Sequence, residues 1–233
     1  MRTIFGVSSA TPINKKLKNG YTMYDWVKRQ KCFPAFCMRT LCGEDKITAE
    51  EIEFLKDKDC KIGLVIRDLT EAKVSGVNGT EDAIKAVESA KELGVPYTIH
   101  AGEAGPASNV KEAVEIMGAQ RIGHGGHSTE DPEVKQMMID KQIPYEFCVT
   151  SNIQCHVQPS YEEHAMIELF RDGALVTMNS DNMTLSKVNV HSEMEKAITR
   201  MGFTEEDCHQ LNVNAIKAAF LSEEEKEALL AKL

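Results

Sequence analysis

Several side chains in the C-terminal part of the sequence carry reactive groups where a strand or turn does not require them. In Tyr97-Thr98-Ile99-His100 an alternating apolar stretch ends in a histidine, with Glu103 three residues further on. His124 closes the short run Arg121-Ile122-Gly123, Ser151 and Asn152 follow Pro144–Val149, and Asp181 with Asn182 follows Ala174–Met178. Imidazole and carboxylate groups from separate strands can share a metal ion, and a nearby glutamate can move protons. A metal held there would activate water as the nucleophile. Any one of these residues alone more often caps a loop. Their recurrence at successive strand ends is what points to a site.

The elements that must position them repeat in a simple order. Strands are expected at Thr3–Val7, Pro34–Arg39, Ile62–Arg67, Pro96–His100, Arg121–Gly123, Pro144–Val149 and Ala174–Met178. Helical patterns lie between them, at Met23–Gln30, Ala49–Lys58, Glu81–Leu93, Asn109–Met117, Asp131–Lys141, Tyr161–Arg171 and Leu185–Met201, and Glu205–Ala219 and Glu223–Lys232 finish the chain. Ile84, Val87, Ala90 and Leu93 fall on one face of a 3.6-residue period. Thr48-Ala-Glu-Glu51 and Ser222-Glu-Glu-Glu225 have the form of capping boxes, and Gly94 and Gly118 stand where a helix ends in a left-handed residue. Strict alternation of strand and helix predicts an α/β fold with parallel strands, a (β/α) TIM-type barrel over residues 1–233. Seven strands are counted where the standard barrel has eight; an unclosed barrel would expose an edge and invite pairing into a homodimer.

Composition narrows the function classes. With 27 basic and 36 acidic residues, the net charge of -9 argues against nucleic acid or an anionic membrane surface as a partner. No apolar run approaches the ~20 residues needed to cross a bilayer. Seven cysteines without CxxC spacing predict reduced thiols and a cytoplasmic location. Cys37 could serve as a soft metal ligand, but its place in an apolar strand predicts a buried structural thiol.

From Tyr97 onward the chain resembles the C-terminal part of adenosine deaminase, a zinc-dependent purine nucleoside hydrolase. The resemblance is carried by TIHAGEAG, RIGHGGHSTEDPE, YEFCVTSN, VTMNSDN and MGFTEEDCHQLNVNAIKAAFL. It implies His100 and Asp181 as zinc ligands, Glu103 as the acid that protonates the purine ring nitrogen, and His124 as the group that orients the attacking hydroxide. Asn182 stands where the family has a second aspartate in contact with the purine. The family's first strand also carries a His-x-His pair of zinc ligands, where this chain reads TIFGVSSA. With two of four ligands missing, the resemblance implies a site that holds zinc loosely.

The N-terminal stretch resembles something else. FGVSSATPINKKL, FPAFCMRTL and ITAEEIEFLKDKDCKIGLVIRDL are similar to the first half of a glycoside-hydrolase-like barrel family related to lysozyme-type muramidases. That family's pattern would put an aspartate where Ser8 stands, so its carboxylate pair is missing. The two resemblances meet near residues 95–97. Together they predict a recombined, engineered barrel scaffold, fragments 1–96 and 97–233, with a remnant deaminase site and no native catalysis. The alternative is a zinc-dependent adenosine-deaminase-like hydrolase with a degraded metal site, taking a purine nucleoside.

Overall fold

The computed structural model describes residues 5–8, 12–25, 34–40, 46–58, 60–65, 84, 87–88 and 90–233. They belong to two compact units, Met1–Tyr97 and Thr98–Leu233. Both are built on parallel strands, as alternating strands and helices require.

In the first unit, β1 (Phe5–Ser8), β2 (Pro34–Thr40) and β3 (Lys61–Val65) pair in that order. Helix α1 (Ala49–Asp57) precedes β3 and buries Ile52 and Leu55. Thr48 caps α1 by accepting the Glu51 N–H, but the capping box is only half formed. The Glu51 carboxylate turns inward instead: Oε1 accepts from Arg39 Nε at 2.7 Å and from the Ile13 N–H at 2.7 Å, and Oε2 accepts from Arg39 Nη2 at 3.1 Å. Both side chains of this pair are fully buried. A buried guanidinium that offers two N–H groups outcompetes a single exposed backbone amide for the carboxylate. On the helix expected at 81–93, Val87 and Ala90 are buried as the periodicity predicts, while Leu93 is 39% exposed because it falls in the turn after the last helical residue. Of the expected helix Met23–Gln30, positions 26–30 lie outside the described residues, as do the ends of the first and third expected strands, at residues 3–4 and 66–67.

The second unit contains β4 (Ile99–Ala101), β5 (Ile122–His124), β6 (Tyr145–Phe147) and β7 (Val176–Met178), paired in chain order and all parallel. Seven strands are thus present among the described residues, at the seven places read from the sequence. Helices α2 (Ala107–Glu115) and α3 (Pro132–Lys141) follow β4 and β5. Helices α4 (Val149–Gln154) and α5 (Ala165–Arg171) follow β6. Behind β7 come α6 (Met183–Ser186), α7 (Val190–Arg200), α8 (Glu205–Ala218) and α9 (Glu223–Leu230). Ile122, Tyr145, Phe147 and Val176 are completely buried, as are Val110, Met166, Leu169 and Leu211 from the helices. β5 and β7 are buried at every position and so are covered on both faces, while β4 leaves His100 exposed.

Among the element boundaries that differ from expectation, three change the type or number of elements or have a visible cap. Strand β6 stops at Phe147, and Val149 opens α4 rather than extending the strand. The helix expected from Tyr161 begins at Ala165, because the His164 side chain caps it. The helix expected over Leu185–Met201 is two helices: Lys187 takes a left-handed φ of 53°, and Asn189 starts α7 with a reciprocal box to Ser192. Ser222 forms the box read from the sequence, and Gly94 and Gly118 have φ of 63° and 70°. No helix among the described residues is long and apolar enough to cross a membrane.

Glu51→Ala takes the buried ion pair away from Arg39 in the first unit. Urea unfolding of this variant is expected to show a loss of about 3–5 kcal/mol.

Candidate functional site

All the residues singled out as a possible site in the second unit stand at the carboxyl ends of its four strands. His100 lies in β4 and pairs in register with Gly123 of β5. A Cβ at Gly123 would meet His100 Cδ2 at 2.4 Å, so the absent side chain is the space that the imidazole occupies. His124, next in β5, is 2% exposed and stands edge-on to His100, with ring centroids 4.9 Å apart at 74°. Glu103 reaches back from the turn after β4, its Oε2 3.5 Å from His124 Nε2. His100, Glu103 and His124 can offer ligand atoms that all lie within 4.8 Å of one another, a group of two imidazoles and a carboxylate capable of holding a metal ion.

Two of the site residues sit in strained backbone. His124 has φ of 63° and Asp181 has φ of 45°, a region that non-glycine residues rarely enter. Strain of this kind persists where the surroundings over-determine it, and it concentrates at functional positions. At Asp181 the surroundings include Ser151, whose Oγ donates to Oδ2 at 2.6 Å. Asn182, beside it, is exposed and caps α6 by accepting the Leu185 N–H at 3.0 Å.

Helix α4 carries Ser151 and Asn152, and its position is fixed from α7. Cys148 at its N-cap makes no side-chain capping bond. The fully buried Glu193 carboxylate accepts the Thr150 N–H at 3.1 Å instead, and Lys196 ties Glu193 to the Thr150 hydroxyl. An acidic group at a helix N-terminus is favoured by both hydrogen bonding and the backbone dipole. Asn152, buried, then places its amide between two imidazoles: Nδ2 is 2.9 Å from His124 Nδ1, and Oδ1 is 3.3 Å from His164 Nε2.

Burial dominates the electrostatics. Desolvation raises the Glu103 pKa, against the attraction of His100. It lowers the pKa of His124 and of His100, the latter helped by its neighbour His124, although His100 remains exposed on one side. His164 is 1% exposed and is pushed down to about 4 by burial, with His124 adding to the shift. His164 caps α5 through Nδ1 and is buried in the core. No local pattern marks it, since its partner Asn152 is twelve residues away. His156, His191 and His209 are exposed. Cys37, in the first unit, is 1% exposed with its thiol pushed up to about 12 by burial, which is the chemistry of a structural thiol.

The adenosine deaminase family matches residues 29–233. An adenosine deaminase of Danio rerio is 37% identical over 198 residues, 84% of this chain and 54% of that protein. One from Clostridium botulinum (strain Okra / Type B1) is 42% identical over 146 residues, 63% of this chain and 44% of that protein. The chain thus spans about half the length of the curated relatives it matches. Among solved structures, an adenine deaminase from Arthrobacter aurescens aligns with a TM-score of 0.69 at 25% identity, over 84% of this chain and 59% of that one. An Arabidopsis N6-mAMP deaminase aligns at 0.71 and 19% identity, over 94% and 69%, and shows the shared fold alone. The fold is the α/β class of (β/α) barrel type expected from the sequence.

These matches overturn the recombined-scaffold reading. One family runs through the expected junction at 95–97 and takes in residues 29–96, so nothing supports a glycoside-hydrolase-like fragment there. A strand followed by an amphipathic helix is a pattern that unrelated barrels share, and it carries fold without ancestry. Nor does a deaminase family match over most of the chain fit a scaffold without catalysis.

Gly123→Ala is expected to push the His100 ring off β5, at a cost of about 1–3 kcal/mol in urea unfolding. In NMR spectra the His100 ring signals should shift while those of the exposed His209 on α8 stay in place. His164 supplies a second outcome. Its folded pKa of about 4 lies below the ordinary 6.5, so the unfolded chain binds the extra proton. The stability it contributes is complete above pH ~6.5 and is lost as pH falls towards ~4, by up to about 3 kcal/mol. Unfolding measured across that window should lose this share of its pH dependence in His164→Gln.

Proposed function

The chain belongs to the adenosine deaminase family, and from that premise we propose that its second unit carries a zinc-dependent hydrolytic site that deaminates a purine nucleoside of the adenosine type. Water replaces the exocyclic amino group, which leaves as ammonia. The observation that supports this most directly is the convergence of His100, Glu103 and His124 from neighbouring strand ends, their ligand atoms within 4.8 Å of one another.

The donor set suits zinc, which takes imidazole nitrogen and carboxylate oxygen. His100 and Asp181 are the residues assigned to hold it. Asp181 keeps one oxygen for this purpose while Ser151 fixes the other. Bound zinc would lower the pKa of water enough to supply a nucleophile near neutral pH. Strand β1 reads Phe-Gly-Val-Ser and brings no imidazole, so the family's first-strand pair has no counterpart at Phe5–Ser8.

The chain's own residues would then divide the proton work. Glu103 is assigned to hold a proton and deliver it to the purine ring nitrogen. Its burial raises its pKa, so the carboxyl stays protonated at a higher pH than a free glutamate would. A general acid tuned towards the working pH is more effective than one that has already lost its proton. His124, at 3.5 Å from Glu103, is assigned to orient the attacking water. Asn182 uses its side-chain oxygen to cap α6, which leaves its amide N–H as the end that could meet the purine where the family has a carboxylate.

Ammonia release from adenosine, with zinc content measured on the same sample, tests this reading. Zinc uptake with turnover is expected, and Glu103→Gln should lower kcat by about 10²–10⁴-fold. Because the acid must be protonated, the Glu103-dependent rate should fall as pH rises through its raised pKa, and that limb should vanish in the variant. Negligible zinc uptake together with no ammonia release would overturn the proposal.

A further inference from the structure

We infer that His164 and Asn152 are positioning residues that hold His124 in the Nε2–H form, which makes His124 a hydrogen-bond donor at the site and not a metal ligand.

The argument starts from a group whose direction is fixed. The Met166 backbone N–H can only donate, and it points at His164 Nδ1 at 3.1 Å. Nδ1 of His164 is therefore the acceptor nitrogen, and in a neutral ring the proton must sit on Nε2. His164 is buried and stays neutral at pH 7. Its ring is also held edge-on against Phe147, with centroids 5.4 Å apart at 78°. Nε2–H donates to Asn152 Oδ1 at 3.3 Å.

That bond sets the orientation of the Asn152 amide. With its oxygen committed to His164, the amide presents its nitrogen to His124 Nδ1 at 2.9 Å. An amide nitrogen donates only, so Nδ1 of His124 is the acceptor and its proton resides on Nε2. Nε2 is the atom that faces Glu103 at 3.5 Å. The polarity thus runs one way, from a helix-end amide through His164 and Asn152 to the mouth of the site.

This direction separates two readings of the His100, Glu103 and His124 cluster. A neutral imidazole that ligates through Nε2 must carry its proton on Nδ1 and needs an acceptor there. His124 meets a donor at Nδ1, and reversing Asn152 would set its NH2 group against the N–H of His164. In a buried chain of this kind, two donors facing each other cost the full desolvation of both. His100 remains suited to ligation, whereas His124 is held to present an N–H to whatever oxygen approaches. The catalytic consequence rests on the deaminase reading; the tautomer does not.

Nitrogen-15 NMR of the imidazole rings in the full chain, without metal or substrate, tests the inference. The unsubstituted protein is expected to show His124 protonated at Nε2. Asn152→Asp puts an acceptor between the rings and should move the His124 proton to Nδ1. His164→Phe keeps the ring volume but removes the N–H, and it should give a mixture of both His124 forms. His164→Gln, whose amide nitrogen can replace Nε2–H, should restore the original form. In turnover, His164→Phe should lower kcat by about 10–100-fold with KM little changed, and His164→Gln should recover most of it. A His124 protonated at Nδ1 in the unsubstituted protein, or unmoved in Asn152→Asp and His164→Phe alike, would overturn the inference. Ring signals that respond as stated in a protein without turnover would uphold the positioning and sink the deaminase reading.

Discussion

Asn152 is the side chain on which the geometry of the site depends, because its two ends are not interchangeable. A buried primary amide between two imidazoles must give at one end and accept at the other, and only one orientation satisfies both neighbours. The choice is made by a backbone N–H at the start of α5, a donor that no side-chain rearrangement can reverse. Everything that locates Asn152 therefore bears on the chemistry: the buried Glu193 that caps α4, the Lys196 that neutralises it, and the register that brings β6 beside β5. Low-dielectric surroundings strengthen such a chain when every member is paired and penalise it heavily when one is not.

The strands contribute precision at short range. β4 and β5 are three residues each, yet one paired position, His100 opposite Gly123, decides where an imidazole can lie. At the ends of β5 and β7 the backbone turns through left-handed conformations at His124 and Asp181. These turns direct two side chains of the candidate site where an extended strand would not send them. Burial then supplies the electrostatics, raising the carboxyl of Glu103 and lowering both imidazoles in the same small volume. Titratable groups that burial perturbs together in one cleft are candidates for proton chemistry.

Much of this was legible in the sequence. Strand positions followed from short apolar runs, and His100, Glu103, His124 and Asp181 stood out because their types do not suit a plain strand end. What stayed hidden depends on distance along the chain. The Asn152–His124 contact spans 28 residues and the Thr150–Glu193 contact 43, and neither leaves a local pattern. Glu51 shows the reverse case: Thr48-Ala-Glu-Glu51 reads as a capping box, but tertiary packing redirects the glutamate to Arg39. Missing first-strand histidines bear on the number of metal ligands. Taken as evidence of ancestry, they led to a scaffold reading that the family match over residues 29–233 corrects.

The central claim is that His100 ligates a metal while His124, held by Asn152 and His164, keeps its Nε2–H and does not ligate. A zinc titration of the full chain followed by nitrogen-15 NMR of the two imidazole rings tests it most directly. The account predicts that the His100 ring nitrogen shifts as zinc binds and that His124 keeps its proton on Nε2 throughout. Loss of the Nε2 proton from His124 on zinc addition would make it a ligand and contradict the account, as would rings that do not respond to zinc at all.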